Sequence, residues 1–187
     1  MVTCIALLCG INVGGNRKVP MVDLRALASE IGFKRAATYI QSGNLVFVAD
    51  STPRASELKL EAGMVARFGF TVEVLVRTLA EWEVLLGNNP FPAESAAEAN
   101  RVMLLLSRSP PKPDAVTALR SRAKNGERVE SGKGAVWVYY REGAGTSKLT
   151  PALVDKAIGS KVTARNWRTV IALRDLALEV ARHDQAT

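Results

Sequence analysis

Thr38–Ala49 reads TYIQSGNLVFVA. Two short runs rich in strand-forming residues, Ala37–Ile40 and Leu45–Ala49, flank Gln41–Asn44 (QSGN), and a short glycine-containing connection of this kind signals a tight hairpin. Helical patterns lie on both sides. Upstream, Pro20 fits a first turn, Leu24, Leu27, Ala28 and Ile31 recur at helical spacing, and Gly32 stops the run. Downstream, Pro53 opens a second helix with Leu58, Ala62, Val65 and Ala66 on one face, closed by Gly69. Outside these, Thr3–Leu8 is a continuous apolar run, and Val72–Arg77 alternates with Val72, Val74 and Val76 on one side. The order strand, helix, strand, strand, helix, strand is the split βαβ, or ferredoxin-like, pattern. That topology centres the first and third strands, which are the two continuous apolar runs, while the fourth alternates as an edge strand does. Thr78–Glu81 then forms a capping box, and Trp82, Leu85 and Leu86 carry an added helix to Gly87.

The remainder repeats the plan. Val102–Leu106 is a strand, and Pro113 starts a helix carrying Val116, Leu119 and Ala123 that ends near Gly126. Arg128–Ser131 and Ala135–Tyr140 are strands around a Gly132–Lys133–Gly134 turn. Thr150 caps and Pro151 opens a helix with Leu153, Val154, Ala157 and Ile158, stopped by Gly159. Lys161–Ala164 is a short strand, and Asn166 caps a last helix to about Arg182. Local echoes accompany the shared order: Ser42–Phe47 (SGNLVF) parallels Ser131–Trp137 (SGKGAVW), and Val76–Trp82 (VRTLAEW) parallels Ala164–Val170 (ARNWRTV). The expected fold class is α+β, two tandem ferredoxin-like halves each followed by an extra helix. The expected boundaries are 1–87 for the first half, 88–99 for a linker and 100–187 for the second, more basic half.

Composition fits this architecture. The chain has 187 residues, 48% hydrophobic and 23% charged, ordinary for a globular protein with a real core. Its longest apolar runs, Cys4–Cys9 and Val102–Leu106, fall far short of the roughly 20 residues that span a bilayer. The apolar N-terminus lacks a basic n-region, so a cytoplasmic protein without a membrane partner is expected. Cys4 and Cys9 are an odd number apart on one strand and face opposite sides, which excludes a bridge between them and a metal site. The net charge is +7 and uneven. Met1–Pro90 has nine Lys/Arg against eight Asp/Glu, whereas Phe91–Thr187 has sixteen against ten. Excess basic charge favours polyanions or acidic partners without specifying either.

The split βαβ topology also places function. The end of the first strand lies beside the start of the third, so Gly10–Met21 (GINVGGNRKVPM) shares a sheet edge with the QSGN hairpin. Gly10, Asn12, Gly14, Gly15, Asn16, Arg17, Lys18, Tyr39, Gln41, Ser42 and Asn44 are the candidate ligand-binding residues of this rim. A strand-to-helix loop of about ten residues exceeds the usual 2–6, and long loops are more often functional. Glycines allow close backbone approach and successive amides can cradle an anion. Against this, the P-loop and dinucleotide spacings both fail, since Gly10 and Gly15 are followed by Asn16 and Arg17. Pro20 also removes one amide donor. An anion site and a solvated surface loop both stand.

Taken in order, GINVGGNRKVPM, TYIQSGNLVF, VRT, NPF, SKL (Ser147–Leu149) and RNWRTV (Arg165–Val170) resemble the bacterial family called domain of unknown function 1697. The resemblance covers nearly the whole chain. It implies a cytoplasmic α+β protein with ferredoxin-like units and supplies no activity. Two departures stand out: the family usually carries Arg where this chain has Cys9, and a second Asn where it has Arg168.

Catalytic chemistry finds no constellation. The single histidine, His183, sits in the C-terminal HDQAT tail, and no HExxH, CxxC or G-x-S-x-G sequence occurs. Ser42 and Ser131 lie in turns without a recognisable base. No catalytic residue, metal site or cofactor is expected, and the sequence leans away from an enzyme. Nucleic-acid binding by an RRM-type sheet needs exposed aromatics on the first and third strands. Only the second half offers them: Trp137 and Tyr139 share one face, flanked by Lys133 and Arg141. The competing reading places both aromatics in the core, and the sequence favours it. Arg120, Arg122, Lys124, Arg128 and Lys133 are interrupted by Glu127 and Glu130, as a solvated face is. Arg77 and Arg165 each precede a helix cap, and a structural role is expected for both. Three functional readings follow. The first is a non-catalytic binder of an anionic small molecule or nucleic acid through the Gly10–Lys18 loop and Gln41–Asn44 turn. The second is an enzyme on a phosphorylated or nucleotide-like substrate at the same rim. The third is a protein-interaction or homodimerisation module.

Overall fold

A computed structural model describes residues 1–13 and 17–185. The first half runs β1 (Val2–Leu8), α1 (Met21–Glu30), β2 (Lys34–Tyr39), β3 (Asn44–Ala49), α2 (Pro53–Phe68) and β4 (Val74–Thr78), followed by α3 (Leu79–Gly87). A short helix, α4 (Pro92–Ala97), was not foreseen. The second half runs β5 (Val102–Ser107), α5 (Ala115–Arg122), β6 (Arg128–Gly132), β7 (Ala135–Tyr139), α6 (Pro151–Ile158) and β8 (Val162–Asn166), followed by α7 (Trp167–Gln185). The two antiparallel sheets have the orders β2-β3-β1-β4 and β6-β7-β5-β8, so both halves are ferredoxin-like and the tandem α+β expectation holds. Two compact units result. One comprises Met1–Glu83 and Ala172–Thr187, the other Val84–Ile171.

In the first unit Cys4, Ala6 and Leu8 of β1 face the helices, packing with Leu45, Phe47, Val74, Val76 and with Leu24, Leu27, Leu60 and Met64. Phe33 stacks on Phe47 with centroids 4.1 Å apart. The intervening Ile5, Leu7, Val46, Val48 and Leu75 are buried as well. Burial on both faces is why β1 and β3 read as unbroken apolar runs.

The helix boundaries follow their caps. The Thr52 hydroxyl accepts from Ala55 N, Pro53 takes the first turn and Gly69 closes α2 at φ +75°. Thr150, Pro151 and Gly159 do the same for α6. The capping box forms as read: Thr78 N donates to Glu81 Oε2 at 2.7 Å, and Glu81 N to Thr78 Oγ1 at 3.1 Å.

The face of α2 is a correction. Leu58, Ala62, Val65 and Ala66 point outward, and Ser56, Glu57, Leu60 and Met64 are buried. Hydrophobic spacing alone misreads this helix because two glutamates govern its orientation. Glu57 Oε1 accepts from Val76 N at 3.0 Å, and Glu61 Oε1 from Val74 N at 3.0 Å. Both amides lie on edge strand β4, where no neighbouring strand supplies acceptors on the outer side. Gly63 lets Leu27 pack against the helix backbone, since a Cβ there would lie 2.8 Å from Leu27 Cδ1.

The second unit builds an equivalent core from Leu105, Val136 and Val138 of the sheet with Leu119, Val154 and Ile158 of the helices. Its edge strand is satisfied in the same way, with Val162 N donating to Asp155 Oδ1 at 2.9 Å.

Candidate functional site

The rim is assembled at the end of β1. Leu8 N donates to Gly43 O at 2.8 Å, pinning the β2–β3 hairpin there, and Cys9 N donates to Glu73 O at 2.9 Å. The twelve residues from Cys9 to Pro20 then connect β1 to α1. Asn12 clasps this loop. Its Nδ2 donates to Val19 O at 3.0 Å and to Gln41 O at 2.8 Å, while its Oδ1 accepts from Val19 N at 2.8 Å. Asn12 N also donates to Arg17 O at 3.2 Å. One amide side chain thus closes the loop on itself and ties it to the hairpin. The left-handed backbone at Asn12 (φ +55°) suits asparagine, which tolerates that region better than most residues.

Asn44 does the same for the turn. It is fully buried, and its Nδ2 donates to Tyr39 O at 3.1 Å and Ser42 Oγ at 2.8 Å. Gly43 is required on two counts: φ is +73°, and a Cβ would lie 2.8 Å from Ile11 Cδ1. Three of the four described non-glycine residues with left-handed backbone, Asn12, Arg17 and Ile40, belong to this rim. Such backbone is costly for a β-branched residue such as Ile40.

The candidate residues therefore divide. The amide donors of Asn12 and Asn44 are spent on the protein's own backbone and on Ser42. Tyr39 and Ser42 are half-buried. Arg17, Lys18 and the Gln41 side chain are exposed, and no carboxylate among the described residues pairs with either cation. The Arg17 guanidinium lies back over Gly10, 4.0 Å from where a Cβ would stand. Gly14, Gly15 and Asn16 lie outside the described residues. The clasping role of Asn12 was not read from the sequence. Its only signal there is an asparagine in a glycine-rich loop, a residue type suited to left-handed backbone.

Of Trp137, Tyr139, Lys133 and Arg141, the tryptophan is withdrawn from the surface. Trp137 is 0% exposed and packs on Trp167, with ring centroids 5.8 Å apart. A side chain at Gly132 would meet its indole edge at 2.9 Å. Tyr139 donates its hydroxyl to Glu98 Oε2 at 2.6 Å and lies beside Phe91. That bond and burial hold the Tyr139 hydroxyl above the ordinary tyrosine pKa. Lys133 and Arg141 are exposed, Tyr139 is half-buried and Trp137 is buried. Arg77 and Arg165 turn back onto their own strands, donating to Val76 O and Ala164 O, each at 2.8 Å.

Cys4 and Cys9 are buried and in no disulfide, and burial, reinforced by the Glu81 charge, pushes Cys4 up to about 11. Among the described residues no group of three or more His, Cys, Asp or Glu is placed to hold a metal ion. No described helix is long and apolar enough to cross a membrane.

Two tandem split βαβ sheets with a clasped basic loop at one sheet edge define the class of protein. A family model described as "Protein of unknown function (DUF1697)" matches residues 1–137, and the chain belongs to that family. The match contains four of the six motifs that suggested it; SKL and RNWRTV lie beyond its end. Among solved structures the chain is similar to the conserved bacterial protein SP0830 from Streptococcus pneumoniae. The two are 25% identical, with 94% of this chain and 98% of that chain covered and a TM-score of 0.73. No curated protein matches the chain.

Proposed function

We propose that this protein is a non-catalytic binder of an anionic ligand at the rim formed by the Gly10–Lys18 loop and the Gln41–Asn44 turn. The observation that carries the reading is an exposed, uncompensated Arg17–Lys18 pair on a loop that Asn12 ties to the hairpin. Left-handed backbone at Arg17 in the loop and at Ile40 in the hairpin is costly for these residue types, and such strain clusters at ligand sites. Pre-ordering reduces the entropy lost when a ligand is gripped. The Arg17 fork suits a phosphate or carboxylate, and Lys18 adds a point charge.

The test is a thermal-shift screen at low salt with nucleotides, sugar phosphates, polyphosphate and short single-stranded RNA and DNA. A ligand that binds only the folded protein raises the midpoint by mass action. The expected result is a shift that disappears in R17A/K18A. Silence across the panel, or a shift the double variant retains, rejects the reading. Product analysis of any hit separates binding from turnover.

A further inference from the structure

A second basic feature lies in the other unit, where α5 and α6 pack side by side. Lys112 N donates to Ile158 O at 3.1 Å, joining the start of one helix to the end of the other. Between them runs a groove of about 570 Å³. Ala118, Leu153 and Ala157 form its apolar floor, each half-buried. Lys112, Arg122 and Lys156 stand around it, all exposed, and none pairs with a carboxylate among the described residues. Asp114 is the single acid in the lining. Lys112 is held in place rather than free: its stem crosses Gly159, where a Cβ would stand 2.6 Å from Lys112 Cε.

The shape and chemistry select an occupant. No residue lining the groove is fully buried, so a small molecule would stay half wet, whereas tight small-molecule pockets bury most of their ligand. A longer partner recovers area by continuing past the groove. Nucleic acid would meet the cations but leave the apolar floor unused, and no aromatic ring lines the groove to stack a base. Small residues on the floor let another helix approach closely, and an amphipathic helix lays apolar side chains into such a groove. We propose that the α5–α6 groove docks an acidic, apolar-faced peptide helix of a partner protein. Its apolar side chains rest on Ala118, Leu153 and Ala157, and its carboxylates meet Lys112, Arg122 and Lys156. This site is separate in sequence from the proposed rim.

The test selects a phage-displayed library of random linear peptides against the intact chain. Enriched peptides should carry acidic residues beside apolar ones at helical spacing. Their affinity should fall by about tenfold or more in K112E/R122E/K156E. An unchanged melting midpoint shows that this surface variant is folded, and amide shifts at Ala118, Leu153 and Ala157 locate the bound peptide. No enrichment, or peptides indifferent to the triple change, overturns the proposal. So does displacement of the peptides by a single-stranded DNA oligonucleotide whose binding the same variant abolishes, because the surface is then a nucleic-acid one.

Discussion

The two halves can be compared residue by residue through their edge strands. Arg77 pairs across from Ile5, and Arg165 from Leu104. Ile5 faces Val46 on its other side, and Leu104 faces Trp137. Trp137 is therefore the counterpart of Val46, not of Phe47 as the echo SGNLVF/SGKGAVW suggests. The second hairpin has one more residue between its Ser-Gly and its aromatic, four (Lys133–Val136) against three (Asn44–Val46), and sheet faces alternate with period two. One residue moves the aromatic from the helix-facing core, where Phe47 sits, to the opposite face. Sequence echo and structural position thus separate at one insertion.

That reassignment can be broken by truncation. Trp137→Ala should be the most damaging change, costing about 3–5 kcal/mol for a large buried aromatic. Val46→Ala, at the equivalent place, should cost on the order of 2 kcal/mol, since far less apolar surface is lost. Urea unfolding of both variants measures the difference. Equal losses would mean that Trp137 is not the packed centre of its face.

The edge strands sharpen the comparison next. The first half covers two β4 amides with Glu57 and Glu61, and the second covers one β8 amide with Asp155. Glu57 is 4% exposed, so Glu57→Ala leaves a buried amide without an acceptor and should cost about 1–3 kcal/mol. Asp155→Ala exposes its amide partner to more water and should cost about 1 kcal/mol or less. The reverse ranking in urea melts would remove the edge-strand account of why α2 turns Leu58 and Val65 outward.

Much of this was legible beforehand, and what was not has physical causes. Strand order, caps and stops were readable because Pro53, Thr78, Thr150, Gly69 and Gly159 act within a few residues of their own helices. The face of α2 was not, because the partners of Glu57 and Glu61 lie 19 and 13 residues away. In the rim, glycines and basic residues were visible. Yet Asn12 and Asn44, read as ligand contacts, proved to have their donors engaged by backbone and by Ser42. The α5–α6 groove was invisible as a motif, since Lys112, Arg122 and Lys156 come from separate segments.

The smallest expected effect contrasts how each half fastens its loops. The first uses the neutral amide of Asn12, and the second uses a carboxylate. Glu127, 9% exposed, accepts from the Ser147 hydroxyl and from Asn125 N at 2.7 Å. Burial alone would raise its pKa, but the Ser147 and backbone hydrogen bonds outweigh burial and hold it below the ordinary value. A carboxylate depressed in the folded state stabilises the protein above its unfolded pKa, about 4.3 for glutamate, and that contribution is lost as pH falls through the folded value. Acidification through this window should therefore loosen the second clasp and spare the first. Amide exchange at Asn125, corrected for its intrinsic pH dependence, should accelerate relative to Val19, whose acceptor is Asn12. Glu127→Gln should remove that acid response while keeping an acceptor oxygen in place. Equal acceleration at both amides, or an acid response that survives the substitution, would show that the two clasps do not differ in the way their chemistry requires.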